Sequence, residues 1–555
     1  MPKKVTAKKT VKKKTPAKTS AGKKSVTKRA GPGGAAPGVR LIPPKNGATV
    51  RMYRTGHGDC FLLAFPGSAP DRPAYVLIDC GYKPGSNGEK YINVSIREIT
   101  KNIREATGGH VDVAVITHEH QDHVNGITRT NFEGITIGEA WFAWTEDPTD
   151  DLANELRKKF KDKLLGLVAA RNRLAADGDR ERVKRIDEFL AFELGGDEGS
   201  PFTAARATQW LGAAAAGGQS MNKQSMKLFK DLASKNGGVK FIRPHEKILC
   251  VPGCEKVRVF ALGPPRDADQ IADLDPQGDE SFPAMALSSA SAGNYFAAAV
   301  TAAASANGAT PPFANRYCIP QKSAMADSNY GDYLTRVYGK KGSKPSLPTG
   351  VVTPGRNEVA GNEEWRRIDK DWLYFADQLA LAMNDQTNNA SLVLAFELEK
   401  GGKVLLFAAD AQRGNWASWS KKSWKDDKKI IKARDLLART VLYKVGHHGS
   451  HNATLNGTVS DEHANLSWIA QGDYASEFTA MITAVRKWAE TQVGWDHPQK
   501  AIKDALMKKA CGRVFQTDCL VDAMKTAGNG PVSEWKAFLA RTDGQELYFD
   551  YTVMA

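Results

Sequence analysis

Three histidines and an aspartate stand close together in this chain, at His118, His120, Asp122 and His123. They follow the apolar run 111–116, which predicts a buried strand. Imidazole and carboxylate groups suit zinc and its first-row neighbours, and a sharp loop after a strand can turn alternate side chains into one pocket. The spacing predicts a two-metal site, with His118 and His120 on one ion and Asp122 and His123 facing a second. The alternative is a polar surface loop that happens to be rich in histidine.

Other segments of the chain must supply the strands that position this motif. Upstream lie Gly-His-Gly-Asp at 56–59 and Leu-Ile-Asp-Cys-Gly at 77–81. Five downstream segments carry further polar or histidine-containing turns, at 388–394, 405–410, 442–450, 495–498 and 514–518. Together with the His-x-His-x-Asp-His motif, and in this order, these segments resemble the metallo-β-lactamase superfamily. The resemblance is closest to the hydrolase domain of the ComEC competence proteins.

The resemblance implies an α/β fold, a four-layer αββα sandwich with large helical insertions. It covers about residues 48–140, 238–265 and 388–550 and leaves two long interruptions between them. The implied organisation is a disordered basic tail at 1–45 and a hydrolase domain at 46–555, with a helical insertion at about 145–237 and an Ala/Gly/Pro-rich, then helical, insertion at about 266–387.

Periodicity within the insertions predicts their secondary structure. Apolar residues at helical spacing among many charges indicate an amphipathic helix pair over 151–195. The uncharged stretch 281–316 is too polar for a membrane span and is interpreted as a mobile lid or a helix-forming insertion. Further segments are predicted as helices at 204–234 and 363–384 and as core strands at 239–242 and 257–262.

The resemblance also implies a role for each polar residue that follows a strand. Asp410 would bridge two divalent cations, zinc in preference to manganese, and His447 would complete the second site. His448 would contact the scissile group or protonate the leaving oxygen, although the sequence leaves open which of His447 and His448 binds metal. Asp79 would fix the tautomer of a ligand histidine. The implied metal ligands are His118, His120, Asp122, His123, Asp410 and His447, and the implied catalytic residues are Asp122, His448 and Asp79.

Four further residues are candidates for the rim of the site and for contact with substrate. Asp59 would order the loop at the rim, whereas Lys444, Ser450 and His451 could touch phosphate. The alternative for each is a structural turn residue or a solvated side chain. Many superfamily hydrolases have one more histidine ligand between the His-rich motif and the bridging aspartate. The only histidine there is His245, which is interpreted as a loop residue.

Positive charge is concentrated at the start of the chain. Residues 1–40 hold eleven lysines, two arginines and no acidic residue, so they carry +13 of the net +15 and leave +2 (15 − 13) for residues 41–555. This segment has too little apolar surface to offset its ordering entropy and is predicted to be disordered. A flexible cationic tail binds nucleic acid by neutralising phosphates, and the alternatives are a solubilising extension or a tether to an anionic membrane. The lysines predicted to contact nucleic acid are Lys3, Lys4, Lys8, Lys9, Lys12, Lys13 and Lys14.

These features predict a metal-dependent hydrolase, a phosphodiesterase or nuclease that acts on DNA or RNA through a water activated by two cations. The alternatives are a hydrolase of a small phosphodiester or other ester, and a nucleic-acid-binding protein with an inert hydrolase core, since one fold hosts many reactions. No apolar segment follows the basic N-terminus, as one would in a secretory signal, so a bacterial-type cytoplasm, with association to the nucleoid, is the predicted location. The seven cysteines are interpreted as reduced thiols.

Overall fold

The computed structural model of the protein describes residues 40–69, 72–176, 178–196, 219–282, 376–492, 495–519 and 528–555, and a few positions between 207 and 334. The larger folded unit begins at Arg40. Leu41 is buried, its N–H donates to the Ala106 carbonyl at 2.9 Å, and its own carbonyl accepts the Tyr75 hydroxyl at 2.9 Å. Of the predicted basic tail, residues 1–39 lie outside the described residues, whereas 40–45 belong to the folded unit because Leu41 anchors them.

The described residues alternate between strands and helices along the chain. The strands are β1 (Gly47–Tyr53), β2 (Phe61–Ala69), β3 (Arg72–Ile78), β4 (His110–Ile116), β5 (Thr136–Ala143), β6 (Gly238–Ile242), β7 (Leu249–Val251), β8 (Cys254–Gly263), β9 (Val393–Glu397), β10 (Val404–Phe407), β11 (Ser423–Asp426), β12 (Lys429–Lys432), β13 (Thr440–Lys444), β14 (Thr479–Ile482), β15 (Val514–Gln516), β16 (Thr542–Gly544) and β17 (Tyr548–Met554). The helices are α1 (Ile96–Thr107), α2 (Gln121–Val124), α3 (Asp151–Ala176), α4 (Arg180–Leu194), α5 (Met221–Ala233), α6 (Ala268–Ile271), α7 (Ala376–Asn389), α8 (Arg413–Trp419), α9 (Ala433–Ala438), α10 (Arg486–Ala489), α11 (Lys500–Lys509) and α12 (Val532–Ala540).

Two large sheets, each partly parallel, form the frame of this mixed α/β protein. The eight-stranded sheet has the order β16-β17-β1-β2-β3-β4-β5-β6, and β3 to β6 run parallel. The seven-stranded sheet has the order β15-β14-β13-β10-β9-β8-β7, and β10, β13, β14 and β15 run parallel. Because the carboxyl ends of parallel strands meet at one edge of a sheet, each sheet collects its strand-end loops at a single edge.

Apolar clusters cover both faces of each large sheet. The main cluster combines side chains of both sheets, such as Val50 of β1 and Val259 of β8. On the opposite face of the first sheet a second cluster includes Ile99 of α1 and Phe229 of α5. On the opposite face of the second sheet a third cluster includes Trp416 of α8. Strands buried on both faces are expected to be largely apolar, which accounts for the run at 111–116, where the half-buried Asp112 is the one polar residue.

The described parts of the first insertion are mainly helical, as predicted. Helices α3 and α4 form the predicted amphipathic pair, and their apolar residues, including Leu167 and Leu190, pack in a cluster with Leu379 of α7. Helix α5 lies in the predicted helical segment 204–234. The predicted strands at 239–242 and 257–262 are confirmed as β6 and β8.

The second insertion is described only at its ends. Residues 266–282 contain α6, and α7 covers the end of the helix predicted at 363–384. The segment predicted as a lid, 281–316, lies outside the described residues after position 282. Among the helices of the described residues, none combines the length and the apolar character needed to cross a bilayer. The described cysteines form no disulfide.

Asp150 ties the start of the first insertion to the two sheets. Its carboxylate accepts the Ala153 N–H in the first turn of α3 at 3.1 Å, Arg266 Nη1 at 2.7 Å and Arg243 Nη2 at 3.3 Å. Arg243 follows β6 and Arg266 follows β8. Although burial raises the pKa of Asp150, the hydrogen bonds from Arg266, Ala153 and Arg243 lower it to about 2. One carboxylate therefore joins a helix start to both sheets.

We expect Asp150→Asn to lower the free energy of unfolding at pH 7 by about 1–3 kcal/mol, because it removes charge-assisted hydrogen bonds. The folded-state pKa lies below the ordinary value near 3.9, so this stabilisation is present above about pH 4 and is lost as the pH falls towards 2. Urea unfolding at pH 7 and pH 3 should show a smaller difference between wild type and variant at pH 3. The exposed neighbour Asp151→Asn is the control. An equal or larger difference at pH 3 would contradict the assignment.

Candidate metal centre

Every predicted ligand lies in the loop or short helix that follows a parallel strand. Asp79 follows β3, and residues 118–123 follow β4 in the first sheet. Asp410 follows β10 and His448 follows β13 in the second sheet. Loops from the edges of two sheets therefore face one another across a single buried pocket.

Four predicted functional residues form a compact cluster: Asp122, His123, Asp410 and His448 each offer a ligand atom, all within 4.8 Å of one another. His123 Nε2 lies 3.2 Å from Asp410 Oδ2, and His448 Nε2 lies 3.2 Å from Asp122 Oδ2 and 3.5 Å from Asp410 Oδ2. All four side chains are buried. Buried imidazole and carboxylate groups at this spacing could hold a metal ion.

Asp122 supplies an independent test of whether a cation fits. Its Oδ1 atom is buried and has no hydrogen-bond partner among the described residues. A buried carboxylate oxygen without a partner costs free energy, which a bound cation would recover. The donor set and this unpartnered oxygen both fit a divalent cation.

His118 and His120 form a second group of ligand atoms. Nε2 of His118 and Nδ1 of His120 lie 3.0 Å apart. Thr117 donates its hydroxyl proton to Asp79 Oδ2 at 2.6 Å, so its oxygen can accept from His118 Nδ1 at 3.1 Å, and Ser391 Oγ lies 3.2 Å from the same nitrogen. With Nδ1 as the donor, the Nε2 lone pair of His118 is directed at His120. Two imidazole nitrogens that face each other so closely need a proton or a cation between them.

The other ring nitrogens in the cluster also have partners that fix their orientation. His123 Nδ1 lies 2.8 Å from Asp79 Oδ2, as the sequence predicted for a ligand histidine. His448 Nδ1 donates to the Thr483 carbonyl at 3.0 Å. In both rings Nδ1 is engaged and Nε2 is directed into the cluster, which is the arrangement that supporting hydrogen bonds give to metal-binding histidines.

Acidic and basic groups in the pocket shift one another's pKa. Burial lowers the pKa of His123, but Asp410, Asp59 and Asp79 outweigh it and hold that pKa well above its usual range. Burial raises the pKa of Asp410, but His123, His448 and Lys444 hold it well below its usual range. The same carboxylates that favour a proton on His123 would favour a bound cation there.

Lys444 is the internal counter-charge of the cluster. Its side chain is 1% exposed, and Nζ lies 2.5 Å from Asp59 Oδ2, 2.9 Å from the Ala409 carbonyl and 3.3 Å from Asp410 Oδ1. Thr483 donates its hydroxyl to the other oxygen of Asp59 at 2.6 Å. Lys444 and Asp59, predicted at the substrate side, are both buried inside the cluster, because each neutralises the other.

Of the two adjacent histidines after β13, the structure brings His448 into the cluster. His447 instead has Nε2 3.1 Å from Asn388 Nδ2, and its buried Nδ1 has no partner among the described residues. Burial lowers the pKa of His447 to about 3. Both residues have positive φ, 42° and 53°, and this tight left-handed turn sends the two rings in different directions. The geometry favours His448 as the ligand and leaves His447 beside it.

Three other candidates lie outside the cluster. The Ser450 hydroxyl is buried and donates to Asn452 Oδ1 at 3.1 Å. His451 is half exposed and lies 3.8 Å from Asp275. His245 is in an exposed loop, as predicted, where its Nδ1 accepts the Ser423 N–H at 3.2 Å.

Sequence reasoning missed two charged residues of the pocket. Lys83 Nζ lies 3.8 Å from Asp122 Oδ2 and over the Phe192 ring, and burial lowers its pKa to about 8. Glu193 of α4 lies with Oε1 2.8 Å from His120 Nε2. Lys83 stands four residues after Asp79 and could have been noticed. The sequence did not single out Glu193, because it is one of many charged residues on an amphipathic helix.

Aromatic rings extend from the cluster past Lys83. The His57 ring lies 4.4 Å from that of His448, 5.2 Å from Trp488 and 5.5 Å from Trp495. Lys83 Nζ lies 5.1 Å from the centre of the Trp495 ring. The mouth of the pocket therefore combines one cation with aromatic surface.

Comparison with known proteins adds nothing to this geometry: no protein-family model matches the chain, and no curated protein is significantly similar to it in sequence.

We expect His448→Asn to weaken zinc binding by more than about 10-fold, because it removes a ring nitrogen from the cluster, whereas His447→Asn should change it less. Competition with a chromogenic chelator measures both affinities. His245→Asn, a change in an exposed loop, is the control and should bind as wild type does. A larger loss in His447→Asn than in His448→Asn would show that the ligand has been misassigned.

Proposed function

We propose that this protein is a metal-dependent hydrolase of the metallo-β-lactamase fold that cleaves phosphodiester bonds, with DNA or RNA as the substrate class. The observation that carries the proposal is the convergence of Asp122, His123, Asp410 and His448 within 4.8 Å at the facing edges of two sheets. The ordered motifs of the sequence support the same family. Two sheets that share a core and carry helices on their outer faces are what a four-layer αββα sandwich requires.

Two divalent cations, with zinc preferred over manganese, fit the donor set. His118 and His120 would hold one, and Asp122, His123 and His448 the other, with Asp410 between them. When bound, such cations lower the pKa of a water and neutralise charge on a phosphoryl oxygen.

The remaining residues of the pocket prepare it for an anionic substrate. Lys444 pairs with Asp59 and Asp410 and holds both carboxylates in place. Lys83 brings positive charge to the mouth, where it can contact a phosphoryl oxygen that the cations do not hold. Asn388 Nδ2 lies 3.1 Å from His447 Nε2, and with the amide as donor the ring hydrogen of His447 is on Nδ1. Because the pKa of His447 is about 3, it acts as a neutral hydrogen-bond donor at neutral pH.

The choice of nucleic acid rests on two features of the sequence: the ComEC resemblance and the +13 charge of residues 1–40. A second candidate, hydrolysis of a small phosphodiester, is favoured by burial. His118, His120 and Asp410 are each 5% exposed or less, and the end of α4 lies against them through Glu193. A centre this enclosed accepts a strand end or a small ester more readily than the interior of a duplex.

Cleavage of end-labelled single- and double-stranded DNA and RNA, with zinc or manganese, tests the proposal. We expect wild type to release short products from strand ends and Asp122→Ala and Asp410→Ala to lose at least about 100-fold in rate, since each removes a carboxylate of the cluster. His245→Asn should cleave as wild type does. Wild type that carries full metal and cleaves no phosphodiester would overturn the assignment.

Removal of residues 1–39 separates the two substrate classes. If nucleic acid is the substrate, the truncated protein should show a raised KM for polynucleotide and a weaker dependence on salt, because fewer phosphates are neutralised. Turnover of bis(p-nitrophenyl) phosphate should not change. Unchanged kinetics on both substrates would favour the small phosphodiester and leave the tail without a role in catalysis.

A further inference from the structure

We propose that Glu193, from the helical insertion, is a positioning residue that fixes the tautomer and aim of His120 for metal binding. The inference rests on the proposed metal centre and extends it to an element that the family resemblance does not cover. It assigns the first insertion a part in building the site.

The contact is short and fully buried. Glu193 Oε1 lies 2.8 Å from His120 Nε2, and the two side chains are 0% and 1% exposed. The residues are 73 positions apart in the chain. A carboxylate in the last turn of α4 therefore reaches a loop of the first sheet without water between them.

The chemistry of the contact determines which nitrogen of His120 is free. With Glu193 as the acceptor of this 2.8 Å hydrogen bond, Nε2 of His120 carries the hydrogen. Nδ1 is then a bare lone pair, and it is the atom that lies 3.0 Å from His118 Nε2. Glu193 thus selects the tautomer in which His120 presents its donor atom to the same point as His118. Carboxylates that accept from the far nitrogen of a ligand histidine also raise its basicity.

The end of α4 is held in place from several directions. Asn222 of α5 donates through Nδ2 to the carbonyls of Phe192 and Glu193, at 2.9 and 3.1 Å. Gln121, inside the metal motif, donates through Nε2 to the Gly196 carbonyl at 3.1 Å. The Phe192 ring packs on His120 with centroids 4.4 Å apart. These contacts make the carboxylate rigid, and rigidity is what positioning a ligand requires.

A purely structural role is the competing explanation. Under it, Glu193 would fasten the insertion to the sheet, and its loss would lower stability without changing metal binding. The second oxygen of Glu193 is buried without a hydrogen-bond partner among the described residues. Within this part of the chain, the carboxylate therefore makes its hydrogen bond to His120 and not to a second structural element. Metal affinity and the tautomer of His120 distinguish a positioning role from a purely structural one.

The test compares Glu193→Ala and Glu193→Gln with Glu188→Ala, a matched control on the exposed face of the same helix, where Glu188 pairs with Lys184. Zinc affinity is measured by chelator competition, and the ligand environment by the absorption spectrum of the cobalt-loaded protein. We expect Glu193→Ala to bind zinc about 10–100-fold more weakly with an altered cobalt spectrum. Glu193→Gln should lose less, because its amide oxygen can accept the same hydrogen bond. Glu188→Ala should match wild type.

Different results would overturn the metal centre and the role of Glu193. Wild type that binds no zinc would overturn the metal centre itself. Wild-type zinc affinity and cobalt spectrum in a folded Glu193→Ala would overturn only the role of Glu193. If Glu193→Ala does not fold, nitrogen-15 NMR of the histidines in wild type and Glu193→Gln decides: hydrogen on Nε2 of His120 in wild type supports the proposal, and hydrogen on Nδ1 overturns it.

Discussion

The structure depends on the neutralisation of acidic groups in a pocket from which water is largely excluded. The buried carboxylates are Asp59, Asp79, Asp122 and Asp410. Burying such charges without partners would cost several kcal/mol each. Lys444, Lys83 and the raised pKa of His123 supply part of the balance, while one oxygen of Asp122 stays without a hydrogen bond among the described residues. The pocket is built to hold more positive charge than its own lysines and histidine provide.

The sheets and the first insertion both supply residues to this pocket. The facing edges of the two sheets supply the ligands, because parallel strands deliver their following loops to one edge. The first insertion supplies Glu193 and Phe192 behind His120, and Asn222 of α5 fixes their backbone. Fold and insertion therefore cooperate in one centre, and the helix pair that interrupts the core sequence is part of the site.

Much of this could be predicted from sequence, and the rest has physical reasons for being missed. The His118–His123 motif and Asp410 were identifiable because each follows an apolar strand and carries ligand chemistry. The choice between His447 and His448 depends on backbone torsions in a left-handed turn, which spacing does not reveal. Sequence left both a substrate contact and a structural role open for Lys444, because its pairing with Asp59 joins segments far apart in the chain. The role of Glu193 could not be predicted from sequence, because its contact with His120 depends on where helix α4 packs in the folded chain.

Anomalous diffraction from crystals soaked with zinc would show whether the pocket binds metal. We expect two anomalous peaks in the pocket. One should lie among Asp122, His123, Asp410 and His448, and one against Nε2 of His118 and Nδ1 of His120. Two cations at such a centre are typically about 3.5–4 Å apart. A pocket without anomalous density at saturating zinc, or zinc bound only at surface histidines such as His245, would contradict a metal centre in this pocket.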